Sequence, residues 1–259
     1  MYPYFSFFGV RIGTYGVCML LAIVLAVALA AAKGKKKNIT VYHILIAGAM
    51  GIGMALLCGG VLYAFVTYPA DLIVKCVLAG RFEIFTAGIV FYGGLIGGIA
   101  GGILGMRIAG CDKGDLLRCV VPFIPLGHAI GRVGCLLAGC CHGFEYEGFL
   151  AVYYPNSVAG LPADQGYFPV QLLEAVINIG ICGLLLLYEK RAKRPFEILF
   201  AYIGCYGISR FCLEMLRGDS VRGIYFGLSL SQWISIGMLV ACAVYFLLGL
   251  RKAKNQQPQ

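Results

Sequence analysis

His128, Arg132 and Cys135 recur at i, i+4 and i+7 inside the apolar run that starts at Pro125. That spacing puts an imidazole, a guanidinium and a thiol on one helical face. An arginine inside a membrane helix costs roughly 2.5–3.5 kcal/mol on insertion scales, so something must offset it. The partner is either an anionic headgroup or a carboxylate on a neighbouring helix. Arg210, Glu214 and Arg217 repeat the same spacing, and Gln171 and Glu174 open another apolar segment. Three arginines against two glutamates leave positive charge, which suits a phosphate. Pairing of Arg132 with Glu174, or of Arg210 with Glu214, is the packing alternative. The two readings overlap, because a carboxylate also orients an arginine that binds phosphate. Directly after the first face come Cys140, Cys141 and His142. They could supply a thiol nucleophile with a histidine base, a redox pair, or a loop staple. Adjacent Cys-Cys-His lacks the usual C-x₂₋₄-C spacing, so no metal site is expected.

The elements that carry these groups follow from composition. The chain has 259 residues, 60% hydrophobic and 13% charged, which marks a polytopic membrane protein. Its formal charge of +9 sits in short clusters between apolar runs, at 33–37, 107–118, 190–194 and 251–254. Such clusters read as topology signals and not as a nucleic-acid surface. Six of the twelve cysteines, Cys18, Cys58, Cys119, Cys182, Cys205 and Cys242, lie in apolar segments and read as small buried hydrophobes. Seven all-α spans are expected, at about 16–32, 41–65, 87–106, the run from 125, 169–188, 196–216 and 228–250. The lysines after the first span place the N-terminus outside and the C-terminus in the cytoplasm. Residues 1–16 read as an amphipathic lead-in, 67–86 as a re-entrant or surface-lying segment, and 107–118 as a short inner loop. Gly93, Gly97, Gly101 and Gly105 form one small-residue row, and Gly94, Gly98 and Gly102 another, so the third span should pack centrally. Gly127, Gly131 and Gly134 offer a similar close approach beside the Arg132 face. The whole of 1–259 is expected to be one membrane domain.

The chain resembles the phosphatidylglycerol:prolipoprotein diacylglyceryl transferases over nearly its full length. The motifs are Tyr15-Gly-Val, Tyr92-Gly-Gly-Leu-Ile-Gly, Gly131-Arg-Val-Gly, Pro169-Val-Gln-Leu-Leu-Glu-Ala, Ser209-Arg-Phe-Cys-Leu-Glu-Met-Leu-Arg-Gly-Asp and Gly227-Leu-Ser-Leu-Ser-Gln-Trp. The resemblance implies a bacterial inner-membrane enzyme that moves the diacylglyceryl group of phosphatidylglycerol, or a related anionic phospholipid, to a lipobox cysteine. It implies no cofactor. By resemblance, Arg132 and Arg210 hold the headgroup phosphate and Tyr15 lines the lipid site. The expected catalytic set is Arg132, Arg210, Cys135, Tyr92 and His128. The substrate-binding set is Tyr15, Gly131, Gly134, Gln171, Glu174, Glu214 and Arg217, with Cys140, Cys141 and His142 as a possible thiol site. Two departures stand out. Tyr92 replaces the family's histidine, and Cys135, Ala138 and Cys140 replace two asparagines and a glutamate. The alternative is a thiol–disulfide or lipid-binding membrane protein that kept the lipid cavity and lost transfer.

Overall fold

A computed structural model describes residues 2–85, 91–194, 196–218 and 224–255; the side chain of Tyr92 lies outside the described part. The chain forms two compact units, residues 31–116 and residues 1–30 with 117–259.

In the smaller unit, α2 (Val41–Thr67) packs along α4 (Phe91–Ala109). The glycine rows explain the pairing. A Cβ on Gly93, Gly97 or Gly101 would run into the backbone carbonyls of Cys58, Met54 and Met50, and one on Gly105 would lie 2.7 Å from Ala47 Cα. Gly94 and Gly98 make only ordinary contacts and Gly102 faces open space. One of the two rows therefore carries the helix–helix contact, by letting backbones approach. His43 is absorbed locally, its Nδ1 accepting from the Thr40 backbone N–H at 2.9 Å to cap α2. The polar stretch after α2 forms α3 (Ala70–Leu78) and a 3-10 turn, Phe82–Phe85.

In the larger unit the expected lead-in is instead a hairpin, β1 (Tyr4–Phe7) and β2 (Val10–Gly13), turning through Phe8 and Gly9 with φ of +47° and +78°. Two successive left-handed residues suit the twist of a two-residue hairpin. It leads into α1 (Thr14–Gly34), whose first turn is tied back by Thr14 N–H donating to Pro3 O at 2.9 Å. The region expected as an inner loop includes α5 (Lys113–Val120), which continues through a 3-10 turn into α6 (Ile124–Ala138). Then follow α7 (Val170–Tyr188), α8 (Glu197–Glu214) and α9 (Leu230–Asn255). Val121, Ile181, Leu185 and Ile198 form a buried cluster where the 3-10 turn, α7 and α8 meet.

Among the described residues, five helical stretches are long and apolar enough to cross a membrane: Thr14–Lys37, Val41–Thr67, Lys113–Ala138, Val170–Tyr188 and Leu230–Arg251. The described apolar stretch of α4, Gly93–Ala109, is shorter. The sixth expected span, α8, carries Glu197 in its first turn and Arg210 and Glu214, charges that belong to the site described next.

Candidate functional site

The site grows from the packing of α6 against α1 and α7. The glycine row on α6 is the α1 contact. A Cβ on Gly134 would lie 2.9 Å from Cys18 Cβ and 3.2 Å from Tyr15, and one on Gly131 would lie 3.3 Å from Met19 Sδ. The close approach read from the sequence is therefore made by a helix. It also puts Tyr15 beside the polar face of α6, within electrostatic reach of Arg132, Cys135, Cys140 and Cys141.

On that face, Arg132 Nη2 meets Glu174 Oε1 of α7 at 2.9 Å, and Arg132 Nε donates to His128 Nε2 at 3.3 Å. Glu174 is 1% exposed. The same His128 Nε2 lies 3.4 Å from Glu174 Oε1, but a nitrogen that accepts from arginine does not also donate to the carboxylate. His128 thus orients Arg132. Its ring lies 5.6 Å from that of Tyr206 on α8, which also senses Arg132, Glu174, Arg210 and Arg217. Tyr206 escaped the sequence reading, although it lies one turn before Arg210.

The second charged face closes similarly. Arg210 Nη2 meets Glu214 Oε2 at 2.5 Å and donates to Ser231 Oγ at 3.1 Å, while Ser229 Oγ donates to Glu214 Oε1 at 2.9 Å. Both serines precede or open α9 and had no signal beyond the Gly-Leu-Ser-Leu-Ser motif. Arg210 Nη1, in contrast, is buried with no hydrogen-bond partner. Both ion pairs weighed as packing alternatives are therefore formed, and one guanidinium still has a free donor edge. Arg217 lies within electrostatic reach of both Arg132 and Arg210.

The loop from Gly139 brings the thiols together. Gly139 takes φ +69° and ends α6 with Gly139 N–H on Leu136 O at 3.3 Å and Cys140 N–H on Cys135 O at 3.1 Å. That is a Schellman closure, which folds the residue two past the cap onto the helix residue five before it. Here those residues are Cys140 and Cys135. Cys141 then adopts φ +54°, a left-handed backbone that costs a non-glycine residue energy. The three sulfurs, of Cys135, Cys140 and Cys141, lie within 4.8 Å of one another. The expected thiol site included His142, but its Nδ1 sits 2.8 Å from Gly143 O and its ring meets Tyr167 edge-on at 4.7 Å. Turn geometry, and not a C-x₂₋₄-C repeat, brings the three sulfurs together.

The loop is held from all sides. Ser157 Oγ donates to Gly139 O at 2.6 Å, and Gln171 Nε2 donates to Cys140 O at 2.8 Å. Gln171 Oε1 accepts from Tyr154 at 3.3 Å, so this fully buried amide supports the loop from within. Residues 143–144 pair with Phe168 on one side and with Leu216 and Arg217 on the other. A Cβ on Gly143 would lie 2.5 Å from Phe168 O and 3.0 Å from Leu216 O, so this strand-like seam tolerates only glycine. The seam delivers Arg217 to Cys141. Hydrogen bonds from the Cys135 and Cys140 thiols, and then from Arg217, hold the Cys141 thiol well below its ordinary pKa.

The prolipoprotein diacylglyceryl transferase family matches residues 3–248. The chain belongs to this family. It is 31% identical over 236 residues to a phosphatidylglycerol–prolipoprotein diacylglyceryl transferase of Clostridium tetani, covering 91% of this chain and 92% of that one. A second enzyme of that name, from Clostridium perfringens, is 30% identical over 250 residues, 96% and 95% of the two chains. One from Clostridioides difficile is 28% identical over 253 residues. The full-length match favours the transferase reading over a thiol–disulfide or lipid-binding protein without transfer. By the resemblance, Cys135 and Cys140 of this cluster stand, with Ala138, where two asparagines and a glutamate are expected.

Proposed function

We propose that this chain transfers the diacylglyceryl group of phosphatidylglycerol to the cysteine thiol of a prolipoprotein, recognised at its lipobox. The observation that carries the site is the buried, unpartnered Nη1 of Arg210, in a cluster with Arg132 and Arg217. Burying such a donor without an acceptor costs about 1–3 kcal/mol, which a phosphate oxygen would recover. The acceptor sulfur attacks the glyceryl carbon that bears the phosphate; its C–O bond breaks and glycerol phosphate leaves. Arg132 and Arg210 offset the charge gathering on the leaving phosphate, with Glu174, His128 and Glu214 fixing their orientation. Tyr15 lines the lipid side, held close to α6 by Gly131 and Gly134, and Tyr92 stands where the family carries histidine. One membrane domain of seven spans, N-terminus outside, would put this site at outer-leaflet headgroup depth in the bacterial inner membrane. There a related anionic phospholipid would compete for it.

The test is transfer to a labelled lipobox peptide by the full chain in phosphatidylglycerol nanodiscs. Arg210→Gln keeps the shape and loses the charge-assisted bond, worth about 1.5–3 kcal/mol, so transfer should fall about ten- to a hundredfold. Arg210→Lys should also fall short, since lysine lacks the planar fork. Unchanged rates in Arg210→Gln would overturn the assignment.

A further inference from the structure

A thiol acceptor must lose its proton before it attacks carbon, and this chain lacks the side chains its family would be expected to use. The histidine position holds Tyr92, and the glutamate position holds Cys140. His128 Nε2 is already engaged by Arg132, and Glu174 Oε1 by the same guanidinium. At two of the replaced positions, Cys135 and Cys140, and at the neighbouring Cys141 the structure gathers three thiols. Their sulfurs lie within 4.8 Å of one another. Three sulfurs on one Zn²⁺, each about 2.3 Å from it, sit roughly 3.8 Å apart. Closing the observed triangle onto an ion needs a shift of about an ångström or less per sulfur.

We propose that Cys135, Cys140 and Cys141 bind a zinc ion through three thiolates and leave the fourth position for the acceptor thiol, which the ion holds as a thiolate. The inference rests on the transferase reading above. Three protein ligands with one open position is the arrangement of a catalytic zinc. A thiol that coordinates zinc is deprotonated outright, so the ion does the work of the missing base. The surroundings suit the charge. Three thiolates on Zn²⁺ carry a net charge of −1, and a fourth makes −2. Arg217 donates to Cys141, and Arg132 is within electrostatic reach of all three sulfurs. The scaffold is fixed in advance by the Schellman closure, the Gln171 bond to Cys140 O and the Ser157 bond to Gly139 O. Harder cations prefer oxygen ligands, which this cluster does not offer.

The step balances without an oxidant. Binding of the acceptor at zinc releases its proton to water at the outer face. The bound sulfur's electron pair forms the C–S bond to the glyceryl carbon as the C–O bond to phosphate breaks. The thioether product is a weaker ligand than a thiolate and leaves the ion. Glycerol phosphate departs as the anion.

The experiment uses the full chain, purified with a phosphine reductant so that no small thiol fills the open position. Metal analysis should give one zinc per chain, lost in Cys135→Ser, Cys140→Ser and Cys141→Ser and kept in Cys76→Ser. The Co²⁺-substituted chain should show thiolate charge-transfer bands that change when a lipobox peptide is added and not when its cysteine is serine. Removing zinc from the wild-type chain with a chelator should slow transfer about a hundredfold, as loss of a base would, and zinc should restore it. Because that last measurement needs no variant, misfolding of the serine variants cannot account for it. A metal-free chain that transfers at full rate overturns the zinc site and leaves the transferase reading intact. So does a disulfide among the three cysteines under the same reducing conditions. One zinc and a peptide-dependent Co²⁺ spectrum, without transfer from phosphatidylglycerol, would support the site and overturn the transferase reading.

Discussion

Replacing Glu174 by glutamine separates the two jobs of Arg132. At 2.9 Å the Arg132–Glu174 pair gains about 5–6 kcal/mol of attraction at an effective dielectric near 20. Much of that only offsets the cost of burying both groups. Removing one partner leaves the other charge stranded, at a cost of about 3–5 kcal/mol. The pair ties α6 to α7, and Glu174 is 1% exposed, so solvent offers little relief. In detergent without lipid, Glu174→Gln should therefore lower the melting temperature by on the order of 10 °C. Phosphatidylglycerol should reverse much of this, since its phosphate replaces the lost anion at Arg132. The lipid-induced rise should be larger in the variant than in the wild type, whose Arg132 is already neutralised. The assay is a thermal unfolding scan across a phosphatidylglycerol titration, with a zwitterionic lipid as control. An unchanged melting temperature would show that the pair does not hold these helices. Equal lipid shifts in both proteins would falsify the idea that Arg132 meets the phosphate.

Three further outcomes follow from close approaches and buried bonds. Gly143→Ala drives a Cβ into the carbonyls of Phe168 and Leu216, so the loop should detach from the end of α8. Limited proteolysis should then cut between residues 143 and 166 faster than in the wild type. Gly101→Leu meets the Met50 carbonyl and should destabilise the α2–α4 pair by about 1–3 kcal/mol or more, while Gly102→Leu, facing open space, should melt within error of the wild type. Gln171→Leu leaves Cys140 O without its 2.8 Å donor and should cost about 1–3 kcal/mol. Cys140 should then be alkylated faster, a readout that overall destabilisation alone would not confine to one cysteine.

Much of the site was legible because helices repeat. His128 and Arg132, or Arg210 and Glu214, are one turn apart in any α-helix, so sequence spacing alone put each pair on one face. The glycine rows were legible for the same reason, although only contact geometry shows that a side chain on the row from Gly93 to Gly105 would strike α2 while one on Gly102 would not. Tyr206 was missed because a tyrosine in an apolar run carries no polar signature until a neighbouring helix places His128 against it. The hairpin at the N-terminus was missed because the Phe8-Gly9 turn has a bulky residue at a left-handed position, where asparagine or aspartate is the usual cue.

The thiol cluster is the more instructive case, since its signal was present. A glycine directly after the last apolar helical residue predicts a Schellman closure, and that motif brings the residue after the glycine against the one five positions before it. Gly139 therefore implies contact between Cys140 and Cys135 without any metal-ligand spacing. Counting along the sequence hides this, because the C-x₂₋₄-C spacing does not describe a Schellman closure. Here a helix end folds back on itself. Only the third member needed the structure, since the left-handed backbone of Cys141 falls between the helix cap and the seam where Gly143 meets Phe168 and Arg217. The same seam carries Arg217 from the end of α8 to Cys141. The backbone strain at Cys141 is thus tied to the contact that joins the thiol cluster to the arginines.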